Sequence, residues 1–341
     1  MLNERAIKIK LVALILVLPV FYVLSIFVGS VDMPINDAFG ALFFQPVSNE
    51  SNSIILYNFR IPEALTAVLC SGALAVSGLM MQSYFRNPLA GPSVMGVSSG
   101  ASFGIALLLV CFPQFANGEL GTRLTMVAFA SMGAIAVLFL LSLIQFRLRN
   151  IETLLIVGLL ITYFLGACET LLLSNTDVQN VKAFVYWGFG SFSKTDFNDI
   201  GAIAVMVGAL ICMAVFFSKA LDAFQFSNQT VLNTGINKIA SGRILIVLSG
   251  LLCAVVTGYC GPIAFIGLCV PHITRMYLHT SKHFYLLTGG LVMAANIGLI
   301  CLTLSRLTFF GQNVPLNSVT SFLGAPFVIY ILLRNRKNSS A

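Results

Sequence analysis

Apolar runs of 17 to 25 residues recur from one end of this 341-residue chain to the other. Each is long enough to cross a hydrocarbon core of roughly 30 Å as a helix. With 58% hydrophobic and only 9% charged residues, the chain has too little polar surface to solvate a globule in water. It reads as an all-α, polytopic membrane protein forming one transmembrane domain over residues 1–341.

Spans are expected at about 9–29, 61–82, 94–112, 122–145, 153–174, 198–218, 242–260, 262–278, 284–304 and 314–333. Arg5, Lys8 and Lys10 precede the first run in the manner of a signal peptide. However, Leu11 to Gly29 is longer than a signal core and Val28-Gly29-Ser30 is a weak cleavage site, so it reads as a span.

Ten spans put both termini on one side. If that side is the cytoplasm, 14 of the 19 Lys and Arg lie inside: Arg5, Lys8, Lys10, Arg86, Arg147, Arg149, Lys219, Lys238, Arg243, Arg275, Lys282, Arg334, Arg336 and Lys337. Arg60, Arg123, Lys182, Lys194 and Arg306 remain outside. This asymmetry favours cytoplasmic termini, and the net charge of +7 becomes a topology signal and not a nucleic-acid footprint. The eight cysteines are scattered through apolar stretches with no C-x-x-C, and read as small buried hydrophobes. A long outer loop is expected at about 30–60 and a long inner one at about 219–241, the latter with helix-compatible segments.

Arg86-Asn87-Pro88-Leu89-Ala90-Gly91-Pro92 cannot continue a helix and reads as a tight inner turn. Gly96, Gly100 and Gly104 then recur every four residues with Ser98, Ser99, Ala101 and Ser102 between them, a face on which helices approach closely in lipid. Gly96-Val97-Ser98-Ser99-Gly100 also matches the G-x-S-x-G nucleophile pattern, with His272 as a conceivable base. An intramembrane serine hydrolase on Ser98 and His272 is therefore one alternative, although no strand precedes the serine. Gly188 to Thr195 resembles a phosphate loop, but Ser193 replaces its second Gly and the segment falls outside, so ATP binding is rejected.

From Gly258 to Arg275 an apolar stretch is broken by Gly261, Pro262, Gly267 and Pro271, and it reads as a bent element beside a transport pathway. His272 near its inner end reads first as a structural hydrogen-bonder. Glu169 is an intramembrane acid and a pathway candidate, whereas Gln82 and Asn296 read as interhelical hydrogen-bonders. A stand-alone ion-coupled transporter is a second alternative, and the scarcity of buried acids speaks against it.

These motifs resemble the permease family of the iron-siderophore, haem and cobalamin ABC importers (FecCD-like, type II). Asn87-Pro88-Leu89-Ala90-Gly91-Pro92 with Gly96 to Ala101 looks like the family's N-P-L-A-(D/E)-P…G-(V/I)-S-(S/N)-G-A signature. Gly261 to Leu268 with Pro271, His272, Ile273 and Arg275 looks like its G-x-I-x-F-I-G-L…P-H-x-x-R signature. Weaker matches, at Arg60-Ile61-Pro62, Tyr186 to Ser191 and Gly324 to Phe327, extend the likeness over about residues 58–333.

The resemblance implies ten helices per subunit, a homodimer in the lipid bilayer with a central pathway, two cytoplasmic ATPase subunits and a periplasmic binding protein. It implies no catalytic site, metal or cofactor on this chain, with ATP and Mg²⁺ on the partners. By the same likeness the loop around Ser227 to Ile236, with Asn228, Gln229, Thr234 and Gly235, contacts the ATPase, and Arg60 and Arg306 receive acidic residues of the binding protein. The sequence departs from the family at Asn228, Gln229 and Leu232, and also at Glu63, Gly91 and Leu302, where relatives carry Arg, an acid and Asp respectively.

Overall fold

In the computed structural model, the described residues are 4–29, 31, 33–34, 36–37, 40, 49–93, 95–117, 122–145, 147, 151–225, 237–309 and 312–339. The expected loop between the first two spans is largely helical near its end. α1 (Glu4–Phe27) is followed by α2 (Glu50–Ile55), which runs through one widened π turn (Leu56–Arg60) into α3 (Ile61–Phe85). The polar stretch read as loop is a helix start: the Asn49 side chain caps it by accepting from the Ser51 N–H, and Glu50 lies in the positive first turn.

The order continues as α4 (Val97–Cys111), a short 3₁₀ turn (Pro113–Asn117), α5 (Thr122–Gln145), α6 (Ile151–Ser174), α7 (Val178–Gly188), α8 (Phe197–Phe216) and α9 (Ser218–Phe224). After it come α10 (Lys238–Cys260), α11 (Ile266–Leu278) and α12 (His283–Ser305). A two-residue hairpin ladder, Thr308–Phe309 with Gln312–Asn313, then leads into α13 (Leu316–Ser339). Each of the ten expected spans has a helix within it, although the one expected at 262–278 is helical only from Ile266. Among the described residues, seven helices are long and apolar enough to cross a bilayer. α4 has 15 residues and α11 only 13, lengths of about 20 Å that fall short of a full hydrocarbon core.

α3 is the hub. It packs against α8, α10, α11 and α12, and 83% of its most apolar window is buried. Its sequence explains this, because Ala64, Ala67, Cys70, Ser71, Gly72, Ala73, Ala75, Ser77 and Gly78 keep its surface low enough for backbones to approach. A Cβ on Gly78 would lie 1.6 Å from the Gly267 carbonyl oxygen, so α3 and α11 touch backbone to backbone. Ser77 and Ser249 bond each other across the α3–α10 contact at 2.8 Å, and Asn296 of α12 donates to the Leu14 carbonyl of α1 at 3.3 Å.

The glycine face of α4 meets α5 as its spacing predicts. A Cβ on Gly100 would meet the Gly133 oxygen at 2.5 Å and one on Gly104 the Phe129 oxygen at 2.2 Å. Among the cysteines, Cys70, Cys253, Cys260, Cys269 and Cys301 are buried as expected, while Cys111 and Cys212 are exposed and Cys168 is half-buried.

Candidate functional site

α3 carries a polar cluster at each end, and α11 connects the region between them. α10 stops where Gly261 adopts φ +76° and Phe265 φ +64°, left-handed conformations that end one helix before Ile266 begins the next. A side chain at position 261 would collide with the Trp187 carbonyl at 2.5 Å, so glycine is required there for space as well as for φ. Protein groups satisfy backbone freed by this break: the Ser191 N–H donates to the Cys260 carbonyl at 2.8 Å, and the Asn317 side-chain oxygen accepts from the Ala264 N–H at 3.1 Å. Broken backbone supported in this way is what membrane depth permits.

At the N-terminal end of α3 a cavity of about 750 Å³ is lined by Arg60, Glu63, Tyr186, Phe189, Lys194 and Arg306, among others. Two of its charges differ from the sequence expectation. The resemblance makes Arg60 and Arg306 the arginines that receive acidic residues of the binding protein, but Arg60 is 4% exposed and donates to the carbonyls of Ile26 and Phe27, both at 2.8 Å, and of Val31. It caps the C-terminal end of α1, where unpaired carbonyls and the helix dipole attract a cation. The π turn aims it there.

Arg306 forms an ion pair with Glu63, with side chains 10% and 13% exposed, and also donates to Ser25 and Val28 carbonyls. The departure at Glu63 is thereby explained: it is the internal partner of Arg306. Lys194, on the loop before α8, donates to the Trp187 carbonyl at 3.2 Å, and burial pushes its ammonium down to about 8.

At the C-terminal end of α3 the two signature segments meet. Asn87 and Pro88 follow Arg86, which closes α3 in a left-handed conformation, and the Asn87 side chain accepts from the Leu89 N–H at 2.9 Å. The His272 ring reaches the Pro88 carbonyl at 3.4 Å, Gln82 donates to Leu268 at 3.0 Å, and Arg275 donates to the Ser83 hydroxyl at 3.3 Å. Thus His272 and Arg275 on α11 come together with Pro88, whereas Gly267, at the start of α11, meets Leu74 and Gly78 further back along α3. Gly261 and Pro262 sit at the break beside Gly190, whose own Cβ would be 2.6 Å from the Pro262 oxygen.

The remaining candidates lie elsewhere. Gly96 turns the chain into α4 at φ +81° and packs against Gly158 of α6. A Cβ on Gly91 would meet only Ser93, at 3.8 Å, so neither contact nor conformation demands glycine in this buried turn. Ser98 faces Cys253 of α10 at 3.7 Å, not His272, so the described contacts do not assemble the imagined hydrolase pair. Pro92, Ser99 and Gly100 belong to the same turn and α4 face. Glu169 sits on α6, whose principal contacts are with α4 and α5; one of its carboxyl oxygens is buried without a hydrogen-bond partner. Ser227, Asn228, Gln229, Thr234 and Gly235 lie outside the described residues.

Sequence reasoning missed the groups that join α9 to this cluster. Asp222 and His283 are 61 positions apart and neither belongs to a recognisable local pattern. Only the helix-compatible reading of the inner loop pointed toward α9. Burial works against the Asp222 charge, but hydrogen bonds from His283 outweigh it and hold the carboxyl below its ordinary range. Among the described residues no group of three or more His, Cys, Asp or Glu is arranged to hold a metal.

The FecCD transport family profile matches residues 15–334. The hemin transport system permease protein HmuU of Yersinia pestis is 30% identical over 294 residues, covering 86% of this chain and 87% of the relative. The vitamin B12 import system permease protein BtuC of Serratia proteamaculans is 30% identical over 84% of both chains. The iron(3+)-hydroxamate import system permease protein FhuB of Bacillus subtilis is 28% identical over 92% of this chain and 80% of its own. In fold, a metal-chelate type ABC transporter solved in an inward-facing conformation superposes with a TM-score of 0.82 at 24% identity, covering 95% of this chain and 98% of that one. The signature segments that pack together around α11 are thus found in a chain of matching sequence and fold, and the protein belongs to the FecCD transport family.

Proposed function

We propose that this chain is the permease subunit of an ATP-driven importer that carries an iron-siderophore, haem or cobalamin across the bacterial inner membrane. The observation that carries the reading is the family match over residues 15–334. The packing of its two signature segments against each other at the inner end of α3 supports it. In this reading the chain is a single transmembrane domain crossing ten times with cytoplasmic termini, the short helices α4 and α11 completing their crossings with the irregular backbone beside them. It works as a homodimer with two ATPase subunits and a substrate-binding protein, and takes no nucleic acid. Hydrolysis, ATP and Mg²⁺ belong to the ATPases, and this chain carries neither a cofactor nor a catalytic site.

The mechanism follows from where the helix is broken. α10 and α11 are separate rigid rods joined at Gly261 to Phe265, so α11 can rotate against α3 without unwinding either rod. Closure of the ATPases displaces the inner loops, and α11 passes that displacement toward the outer end, alternating access between the two sides. Neither alternative gains support: the described contacts do not join Ser98 to His272, and among the described residues no partner meets the buried carboxyl oxygen of Glu169 to begin a proton or ion relay.

The test is co-purification of the tagged chain from native membranes in mild detergent. An ATPase subunit should accompany it, and hydrolysis should rise when a binding protein loaded with haemin, a ferric hydroxamate or cobalamin is added. A chain that reproducibly purifies alone and transports without ATP would overturn the proposal.

A further inference from the structure

α9 is the last described element before residues 226–236, and four side chains fasten it to the transmembrane helices. Asp222 accepts from both the backbone N–H and the ring Nδ1–H of His283, each at 2.8 Å. The opposite ring nitrogen of His283, Nε2, lies 2.6 Å from the Ser83 hydroxyl of α3, which in turn accepts from Arg275 of α11 at 3.3 Å. Because Nδ1 donates to a carboxylate, Nε2 is the acceptor and Ser83 the donor. The hydrogen bonds therefore run in one sense from Arg275 through Ser83 to His283, and from the far side of the same ring to Asp222. His283 is completely buried and Ser83 is 6% exposed. Two backbone anchors flank the chain: Arg86 donates to the Phe224 carbonyl at 2.7 Å, and Gln225 to the Ser281 carbonyl at 2.9 Å.

Ser, His and Asp in this order of contact share the connectivity of a nucleophile triad, but the surroundings oppose chemistry. Ser83 lies in the last turn of α3, where the groups left free are carbonyls and not the N–H donors that an oxyanion needs. Arg275 also donates to the oxygen that would have to attack.

We propose that Asp222, His283, Ser83 and Arg275 are positioning residues for transport, forming the link through which movement of α9 reaches the broken helix α11. This rests on the importer reading. A chain of side chains links α9, α12, α3 and α11: displacing α9 must either carry Arg275 and α11 with it or break one of these hydrogen bonds, of which Ser83–His283 is buried and those of Asp222 and Arg275 are partly exposed. Arg275 is on the same helix as His272 and Gly267, so the pull arrives where α11 meets the Asn87-Pro88 turn and Gly78.

The experiment uses the assembled permease and ATPase complex in proteoliposomes. Molecules of haemin, ferric hydroxamate or cobalamin transported per ATP are measured, using whichever cargo the unaltered complex carries. Asp222→Asn and Ser83→Ala should leave complex assembly and basal ATP hydrolysis near those of the unaltered protein, and lower transport per ATP about tenfold. The double variant should lose no more than either single one, because a chain cut once is already cut.

Asn296→Leu is the control. It removes a buried bond of similar type, from α12 to α1, that does not touch α9. It should lower melting temperature without lowering transport per ATP. Losses that are additive in the double variant, or that match those of Asn296→Leu at equal loss of melting temperature, would overturn the link and leave a purely structural network. An unaltered complex that transports none of the three cargos would count against the importer reading itself, an outcome separable from both.

Discussion

α3 and α6 are both long apolar helices with glycine in their sequence, yet one is enclosed and the other almost bare. The most apolar window of α3 is 83% buried, whereas that of α6 is 11% buried and leaves Ile156, Leu160, Tyr163, Phe164 and Leu171 exposed. The glycines show the same contrast. Gly78 of α3 has the Gly267 carbonyl where a side chain would begin, while Gly166 of α6 has nothing within 4 Å. Hydropathy does not separate the two helices, because lipid and a protein interior accept the same side chains. What separates them is small-residue content: α3 is built to be approached on every side, and α6 presents bulky groups to whatever surrounds the chain.

The largest expected effect breaks the enclosed side. Gly78→Val forces α3 and α11 apart, since the obstructing atom is backbone and cannot rotate away. A loss of more than about 4 kcal/mol is expected, enough to abolish a sharp melting transition in detergent. A variant that folds and melts normally would show that α3 and α11 do not touch backbone to backbone.

Next in size is the charge enclosed at the N-terminal end of α3. Glu63→Gln leaves Arg306 buried with only carbonyl acceptors, at a cost of about 3 kcal/mol. The corresponding melting shift should be recovered by removing both charges together. If Glu63→Gln is neutral, Arg306 is turned outward in solution and its docking role returns.

Lys194 gives an effect of similar size with a pH signature. Burial depresses its folded-state pKa to about 8, below the value of an unfolded lysine, so between these values the unfolded chain binds more protons and stability rises with pH. Lys194→Met should therefore stabilise the protein at pH 7, by about 3 kcal/mol, and this gain should shrink as pH rises from 8 toward 10. Melting curves of both proteins across that interval decide it; parallel curves would mean that the ammonium is solvated.

The transmembrane frame was legible because each span carries its own signal in hydropathy. So were the contacts made by glycine spacing: Gly100 and Gly104 could be assigned to a close helix contact from their period alone, and Gly261 with Pro262 to a break. The α2 start was hidden because Ser48 to Ser53 reads equally as loop or as a capped helix entrance, and only the packing of Arg60 under α1 selects between them. Arg60 and Arg306 show the reverse problem. A loop arginine in sequence looks like a surface charge, and no local pattern reveals that carbonyls of α1 or a carboxylate on the neighbouring α3 will absorb it. The Asp222 to Arg275 chain was illegible for the same reason, since its members come from four elements and none repeats at a helical or strand period.

The smallest effect tests the bare side and has the opposite sign. Gly166 lies inside α6 with open space around its Cα, so Gly166→Ala should raise helix stability by up to about 1 kcal/mol, the usual difference between the two residues in a helix interior. The measurement belongs in the purified chain and again in the complete transporter. A gain in both places means that the surface around Gly166 faces lipid in the assembly too. A gain in the single chain that becomes a loss of assembly means that a second copy closes against it, as the homodimer reading requires of some face. On that outcome Glu169, three residues further along α6 and with a buried oxygen left unpartnered, acquires an environment in which the second subunit supplies the donor.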